Sequence, residues 1–154
     1  MGIFSFLNKP TQFFSAEERD QIVRAIGTAE KETSGEIRIY VESHNPLVNV
    51  MERAAEVFIK LKMEQTAERN AVLLYMAIKD KELALFGDEG IYKRVGAEFW
   101  DNAVKNMLAE FSNNNLSNGI EKCILHVGQT LKEKFPYNAL TDKNELPDDI
   151  VFGK

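Results

Sequence analysis

The sequence predicts an α/β fold in which a small mixed β-sheet, a parallel crossover pair plus an antiparallel hairpin, is sandwiched by about four helices. A strand of alternating polarity at residues 36–42 is separated by a helical segment from a continuous apolar run at residues 70–78. That order is typical of a parallel, right-handed crossover. A short polar turn at residues 79–81 then leads into another apolar strand, which indicates an antiparallel hairpin.

Length and composition predict one domain with short extensions. The chain has 154 residues, and we expect a flexible apolar arm at residues 1–12, a domain at 13–136 and an acidic/apolar tail at 137–154. A single cysteine excludes a disulfide framework and a Cys-rich zinc site, and the presence of only two histidines argues against His-rich metal sites. The net charge of −5 argues against binding to nucleic acid or anionic membranes, and it leaves cationic ligands open.

The first helix and strand have clear signals. Ser15 followed by Glu18 forms a capping box at the start of a helix, which ends at residues 33–35. The strand at residues 36–42 then alternates apolar and polar residues, so one of its faces is expected to be buried. The helix is supported by apolar residues at helical spacing: Ile22, Val23, Ile26 and Ala29.

The second helix and the hairpin follow. Asn49 is expected to cap the helix, with Glu52 at the answering position. The run at residues 70–78 has no polar alternation, so we expect a central strand covered on both faces. Asp80 in the following turn is explained by turn chemistry.

Two further helices are predicted toward the C-terminus. Apolar residues step by four from residue 91 to residue 111, which predicts one long helix packed against the core. A last helix begins near Leu116 and is stopped by Pro136. Within it, Cys123 is expected to be an inert buried thiol, and His126 a packed or surface histidine.

The terminal segments bear on two expectations, the location of the protein and its docking to partner proteins. No apolar run reaches the roughly 18 residues that a bilayer span needs. The first ten residues lack the basic segment of a signal peptide, so a cytoplasmic location is expected. The apolar arm at residues 1–12 or the tail at 146–152 would be the docking segment of a protein-interaction module.

Acidic side chains flank the predicted hairpin and suggest a metal site. Glu68 and Asn70 precede its first strand, and Asp88 and Glu89 follow its second strand. Because the hairpin reverses the chain, both groups should meet at one edge of the sheet. Carboxylate and amide oxygens are the ligands of calcium or magnesium, and no histidine or cysteine joins this group to favour zinc.

Other interpretations of this edge remain open. Asp88 would equally serve as a helix cap, and Arg69 would neutralise the acids. The loop between Gly87 and Gly90 opens a helix, so its backbone amides would be able to hold an anion. The chain has none of the usual catalytic motifs, such as a Gly-x-Ser-x-Gly elbow or a phosphate-binding glycine loop.

Four segments together resemble the TPM domain family, and the resemblance spans about residues 13–136. Two of them, Phe13-Phe-Ser-Ala-Glu-Glu18 and Thr33-Ser-Gly-Glu-Ile-Arg38, resemble the family's opening helix and first strand. The other two are Ala67-Glu-Arg-Asn-Ala-Val-Leu-Leu74 and Phe86-Gly-Asp-Glu-Gly-Ile91. The acidic end of the chain is similar to the tail of short, soluble bacterial members.

The resemblance implies a helix–sheet–helix sandwich around a small mixed sheet. Plant members are thylakoid-lumen proteins of photosystem repair, calcium binding is associated with the domain, and acid phosphatase activity is ascribed to some members. Asn70, Gly87 and Gly90 match the family pattern, whereas Asp88 and Glu89 depart from it.

The expected function is therefore binding of a divalent cation, calcium first and magnesium second, in a regulatory or assembly role. The alternatives are a metal-assisted acid phosphatase and a protein-interaction module.

Overall fold

The computed structural model describes residues 13–112, 115–137 and 150–153. The predicted arm at residues 1–12 and most of the predicted tail lie outside these ranges. In chain order, the elements are α1 (Ala16–Glu30), β1 (Glu36–Glu42), α2 (Val50–Lys60), β2 (Ala71–Ala77), β3 (Glu82–Gly87), α3 (Glu89–Val95), α4 (Ala97–Ser112), α5 (Leu116–Lys134) and β4 (Ile150–Phe152). None of the described helices is long and apolar enough to cross a bilayer.

The four strands form one mixed sheet in the order β3-β2-β1-β4. β1 and β2 are parallel, with Glu36 opposite Ala71, and β2 and β3 form an antiparallel hairpin. The predicted α/β fold with a crossover pair and a hairpin is therefore confirmed. Every residue of β2 is buried, as its continuous apolar sequence indicates for a central strand.

The short strand β4 was not predicted. Ile150 to Phe152 pair in parallel with Ile39 to Val41 of β1, at the edge opposite β3. A strand of three residues is too short to show the alternation that identifies strands, so the sequence alone does not distinguish it from an apolar loop. The end of the tail is thus part of the sheet.

The prediction of one long helix at residues 91–111 is wrong, because Gly96 separates α3 from α4. Gly96 has φ of +91° and ψ of 154°, a conformation that side chains strongly disfavour. The apolar periodicity continues across the break because both helices face the same core. Periodicity alone therefore did not reveal the break.

The sheet separates two hydrophobic cores. One face packs against α1, α4 and α5, and its cluster includes Ile26, Leu74 and Met107. The other face packs against α2, and its smaller cluster includes Phe58 and Tyr75. The capping box expected at Ser15 and the cap expected at Asn49 are both present, and they fix where α1 and α2 begin.

Candidate functional site at the loop edge of the sheet

The loop before β2 and the loop after β3 lie against each other, as the hairpin predicts. The backbone N–H of Asp88 donates to the carbonyl of Ala71 at 2.9 Å, and that of Gly90 donates to the carbonyl of Arg69 at 2.9 Å. A Cβ atom on Gly90 would lie 2.3 Å from the carbonyl oxygen of Glu68. Glycine is therefore required at residue 90, where α3 lies against the backbone of the loop before β2.

Asp88 is engaged by groups of the protein itself. Its carboxylate accepts two hydrogen bonds from the guanidinium of Arg69, at 2.7 and 2.8 Å, and a third from the backbone N–H of Glu89 at 2.8 Å. The side chain of Asp88 is 5% exposed. Both the helix cap and the neutralisation by Arg69 that the sequence left open are thus present.

Arg69 forms ion pairs with two acids of this edge, Asp88 and Glu89. The pKa of the guanidinium is raised, mainly by its hydrogen bonds to Asp88. The negative charges of Glu89 and Glu64 raise it further. Glu89 itself is exposed and approaches Arg69 at 3.4 Å. Arg69 adopts a left-handed backbone conformation, with φ of +53°, which turns the loop toward Asp88.

Glu68 and Asn70 belong to a second group of contacts, which includes Ser34. The hydroxyl of Ser34 donates to Glu68 Oε2 at 2.5 Å, and Nδ2 of Asn70 donates to Ser34 Oγ at 3.1 Å. Ser34 is not among the site residues predicted from the sequence, because it precedes β1 and lies far along the chain from the hairpin. The parallel pairing of β1 with β2 brings the starts of the two strands together, and that pairing was the available signal.

Two buried oxygen atoms at this edge have no hydrogen-bond partner among the described residues. They are Oδ1 of Asn70, whose residue is 1% exposed, and Oε2 of Glu64. Buried polar atoms are rarely left unpaired, because desolvation without a hydrogen bond costs about 1–3 kcal/mol. Glu64 was not among the predicted site residues.

The amides of the Gly87–Gly90 loop already have acceptors within the protein. The N–H of Glu89 donates to Asp88 Oδ1, that of Gly90 to the carbonyl of Arg69, and that of Ile91 to the carbonyl of Asp88 at 3.2 Å. Gly87 has a packing role, because a Cβ there would lie 2.6 Å from Trp100. In the parts of the chain that the structure describes, no three His, Cys, Asp or Glu residues are grouped so that they would hold a metal ion.

A buried ion pair lies on the face of the sheet that α2 covers. Glu42 of β1 accepts two hydrogen bonds from Arg53 of α2, at 2.7 and 2.8 Å, and another from the hydroxyl of Tyr75. Burial and the hydrogen bond to Glu42 raise the pKa of Tyr75. This network fastens α2 to the sheet, and the sequence did not reveal it.

The fold and this edge define a small α/β domain, and comparisons with known proteins assign it to a family. A sequence model of the TPM domain matches residues 7–130, so the chain belongs to the TPM domain family. No match was found among curated proteins.

Several solved structures resemble the chain. The NMR structure of the BA42 protein from the psychrophilic bacterium Bizionia argentinensis is 40% identical and has a TM-score of 0.83, over 92% of this chain and 96% of that one. The N-terminal domain of cg2496 from Corynebacterium glutamicum shares the fold at 13% identity, with a TM-score of 0.60 over 77% of this chain and 74% of that one.

Proposed function

We propose that the protein binds a divalent cation, calcium first and magnesium as the alternative, at the group formed by Ser34, Glu68 and Asn70. The observation that carries the proposal is the buried, unpartnered Oδ1 of Asn70, a residue whose Nδ2 donates to the Ser34 hydroxyl and to the Glu68 carboxylate. A hard cation accepts carboxylate, amide and hydroxyl oxygens together and completes its shell with water. The role would be regulatory or in assembly rather than in catalysis.

Glu68 supplies the negative charge in this proposal. It is exposed, so a hydrated cation reaches it without rearrangement of the core. Asp88 and Glu89, the other predicted ligands, would attract the cation electrostatically without binding it directly, because Arg69 already contacts both carboxylates. With few carboxylates at the group, we expect a dissociation constant of about 10⁻⁴–10⁻³ M, the range of weak calcium modules.

An NMR titration with calcium and then magnesium tests the proposal. We expect saturable amide shifts at Ser34, Glu68 and Asn70, and at least a tenfold loss of affinity in Glu68→Gln, because the charged ligand is gone. Glu89→Gln is the matched control, since it removes an exposed carboxylate from the same edge and only a 3.4 Å contact with Arg69.

The outcomes separate the possible ligand sets. If Glu89→Gln abolishes binding and Glu68→Gln does not, the cation lies on the side of Asp88 and Glu89 and the assignment to Ser34, Glu68 and Asn70 is wrong. If neither cation shifts resonances of the wild type at this edge, the proposal of a metal site fails.

A protein-interaction module is the second candidate, and exposed apolar side chains favour it. Val48 is fully exposed at 101%. Leu47 and Met51, in the same segment, are 36% and 43% exposed. Acid phosphatase activity and a cytoplasmic location stay predictions. They rest on the family resemblance and on the sequence, respectively.

A further inference from the structure

A cleft of about 450 Å³ lies between α4 and α5 and is separate from the loop edge described above. Its volume is within the range of about 300–1,000 Å³ that is typical of sites for small ligands. Three buried residues, Ala103, Met107 and Cys123, form its apolar floor. Exposed polar residues line its mouth: Asn106, Lys122 and His126.

Glu110 and Gly119 form part of the lining of the cleft, one from each helix. Glu110 of α4 packs against Gly119 of α5 so closely that a Cβ atom on Gly119 would lie 2.7 Å from Glu110. The carboxylate of Glu110 accepts a hydrogen bond from Nδ2 of Asn115 at 2.8 Å. The carboxylate of Glu110 therefore already has a hydrogen-bond donor within the protein.

The remaining polar groups of the mouth are suited to an anion. Lys122 is a cation, Asn106 has amide donors, and the ring of His126 is held edge-on against Phe99 at 5.0 Å. The floor is uncharged, because burial raises the pKa of Cys123 to about 12 and keeps the thiol protonated at neutral pH. Donors at the mouth and apolar atoms at the floor match a ligand with a charged head and an alkyl body.

We propose that this cleft binds a small amphipathic anion, a medium-chain carboxylate being the simplest example. The alkyl body would lie on Ala103, Met107 and Cys123, and the carboxylate would meet Lys122 and Asn106 at the mouth. This site does not depend on the cation site, so either proposal stands if the other fails.

A titration with sodium octanoate, below the concentration at which it forms micelles, is the test. Methyl NMR signals of Ala103 and Met107 should shift saturably, and Lys122→Gln should weaken binding at least fivefold because the counter-charge is lost. Lys132→Gln is the matched control on the same helix, since Lys132 pairs with Glu32 away from the cleft. Octanol, the neutral analogue, should bind more weakly than octanoate.

Absence of saturable methyl shifts in the wild type would overturn the site. Equal affinity for octanol and octanoate, or an unchanged affinity in Lys122→Gln, would overturn the assignment of an anionic ligand.

Discussion

Arg69 determines how much negative charge the loop edge offers to a ligand. Its guanidinium bonds both carboxylate oxygens of Asp88, a nearly buried group, and approaches Glu89. A planar guanidinium suits two parallel hydrogen bonds to a carboxylate, which lysine does not provide. Glu68, by contrast, is an exposed carboxylate that no Lys or Arg among the described residues contacts as an ion pair.

Replacing Arg69 by Gln should lower thermal stability in cation-free buffer and increase the response to calcium. The change leaves the carboxylate of Asp88 buried with one backbone partner, and an uncompensated buried charge is costly. A divalent cation would relieve that charge, so the melting temperature of the variant should rise more on addition of calcium than that of the wild type. Differential scanning calorimetry with and without calcium measures this difference.

Arg24→Gln is the control for the loss of a positive charge, because Arg24 is an exposed helix residue that bonds only the carbonyl of Asp20 in the described contacts. It should behave as the wild type does. Equal calcium-dependent shifts in the wild type and in Arg69→Gln would contradict the view that Arg69 competes with a metal ion at this edge.

At the scale of elements, the strands and helix starts were predictable because their signals are local. The alternation in β1, the apolar run of β2, and the caps at Ser15 and Asn49 each lie within one segment. The break at Gly96 was not predictable from periodicity, because α3 and α4 direct their apolar residues to the same core. Its signal is one glycine, and a glycine inside a helical pattern is often tolerated.

Alanine substitutions at two glycines separate backbone conformation from packing. Gly96→Ala should destabilise the protein by about 1–3 kcal/mol, because φ of +91° is strained for a residue with a side chain. Gly27→Ala, within α1, should stabilise it by about 0.5–1 kcal/mol, because alanine loses less entropy in a helix. An added Cβ meets no atom within 4 Å at either position, so the two changes differ in backbone alone.

Urea denaturation of both variants measures the two free energies of unfolding. A Gly96→Ala variant as stable as the wild type would show that α3 and α4 merge into the single helix that the periodicity predicts. A destabilised Gly27→Ala variant would contradict the view that residue 27 is an unhindered helical position.

In the whole molecule, the sheet brings together residues that are far apart in the chain, and local sequence patterns do not indicate such contacts. The group of Ser34, Glu68 and Asn70 exists because β1 and β2 start at the same edge. The pair of Glu42 and Arg53 exists because α2 covers one particular face of the sheet. The hairpin alone placed Asp88 near Asn70, so that half of the loop edge was predictable.

The smaller core, under α2, makes the stability of the whole molecule sensitive to alkaline pH. Tyr75 is buried beside Glu42, and its pKa is raised above the ordinary value of 10.0 first by burial and then by the hydrogen bond to Glu42. Because the native state holds the phenol proton more tightly than the unfolded chain does, the stabilisation is fully present below pH 10 and is lost as the pH rises above it.

Tyr75→Phe removes both the hydrogen bond and the titrating group. Near neutral pH the variant should be less stable by about 1.5–3 kcal/mol, the contribution of a hydrogen bond to a charged group. Above pH 10 the difference from the wild type should shrink, since only the wild type gains a phenolate on unfolding. Urea denaturation at neutral pH and at several alkaline values measures this convergence. Tyr137→Phe, at an exposed position, is the control that should follow the wild type, and a difference that stays constant with pH would contradict the role assigned to Tyr75.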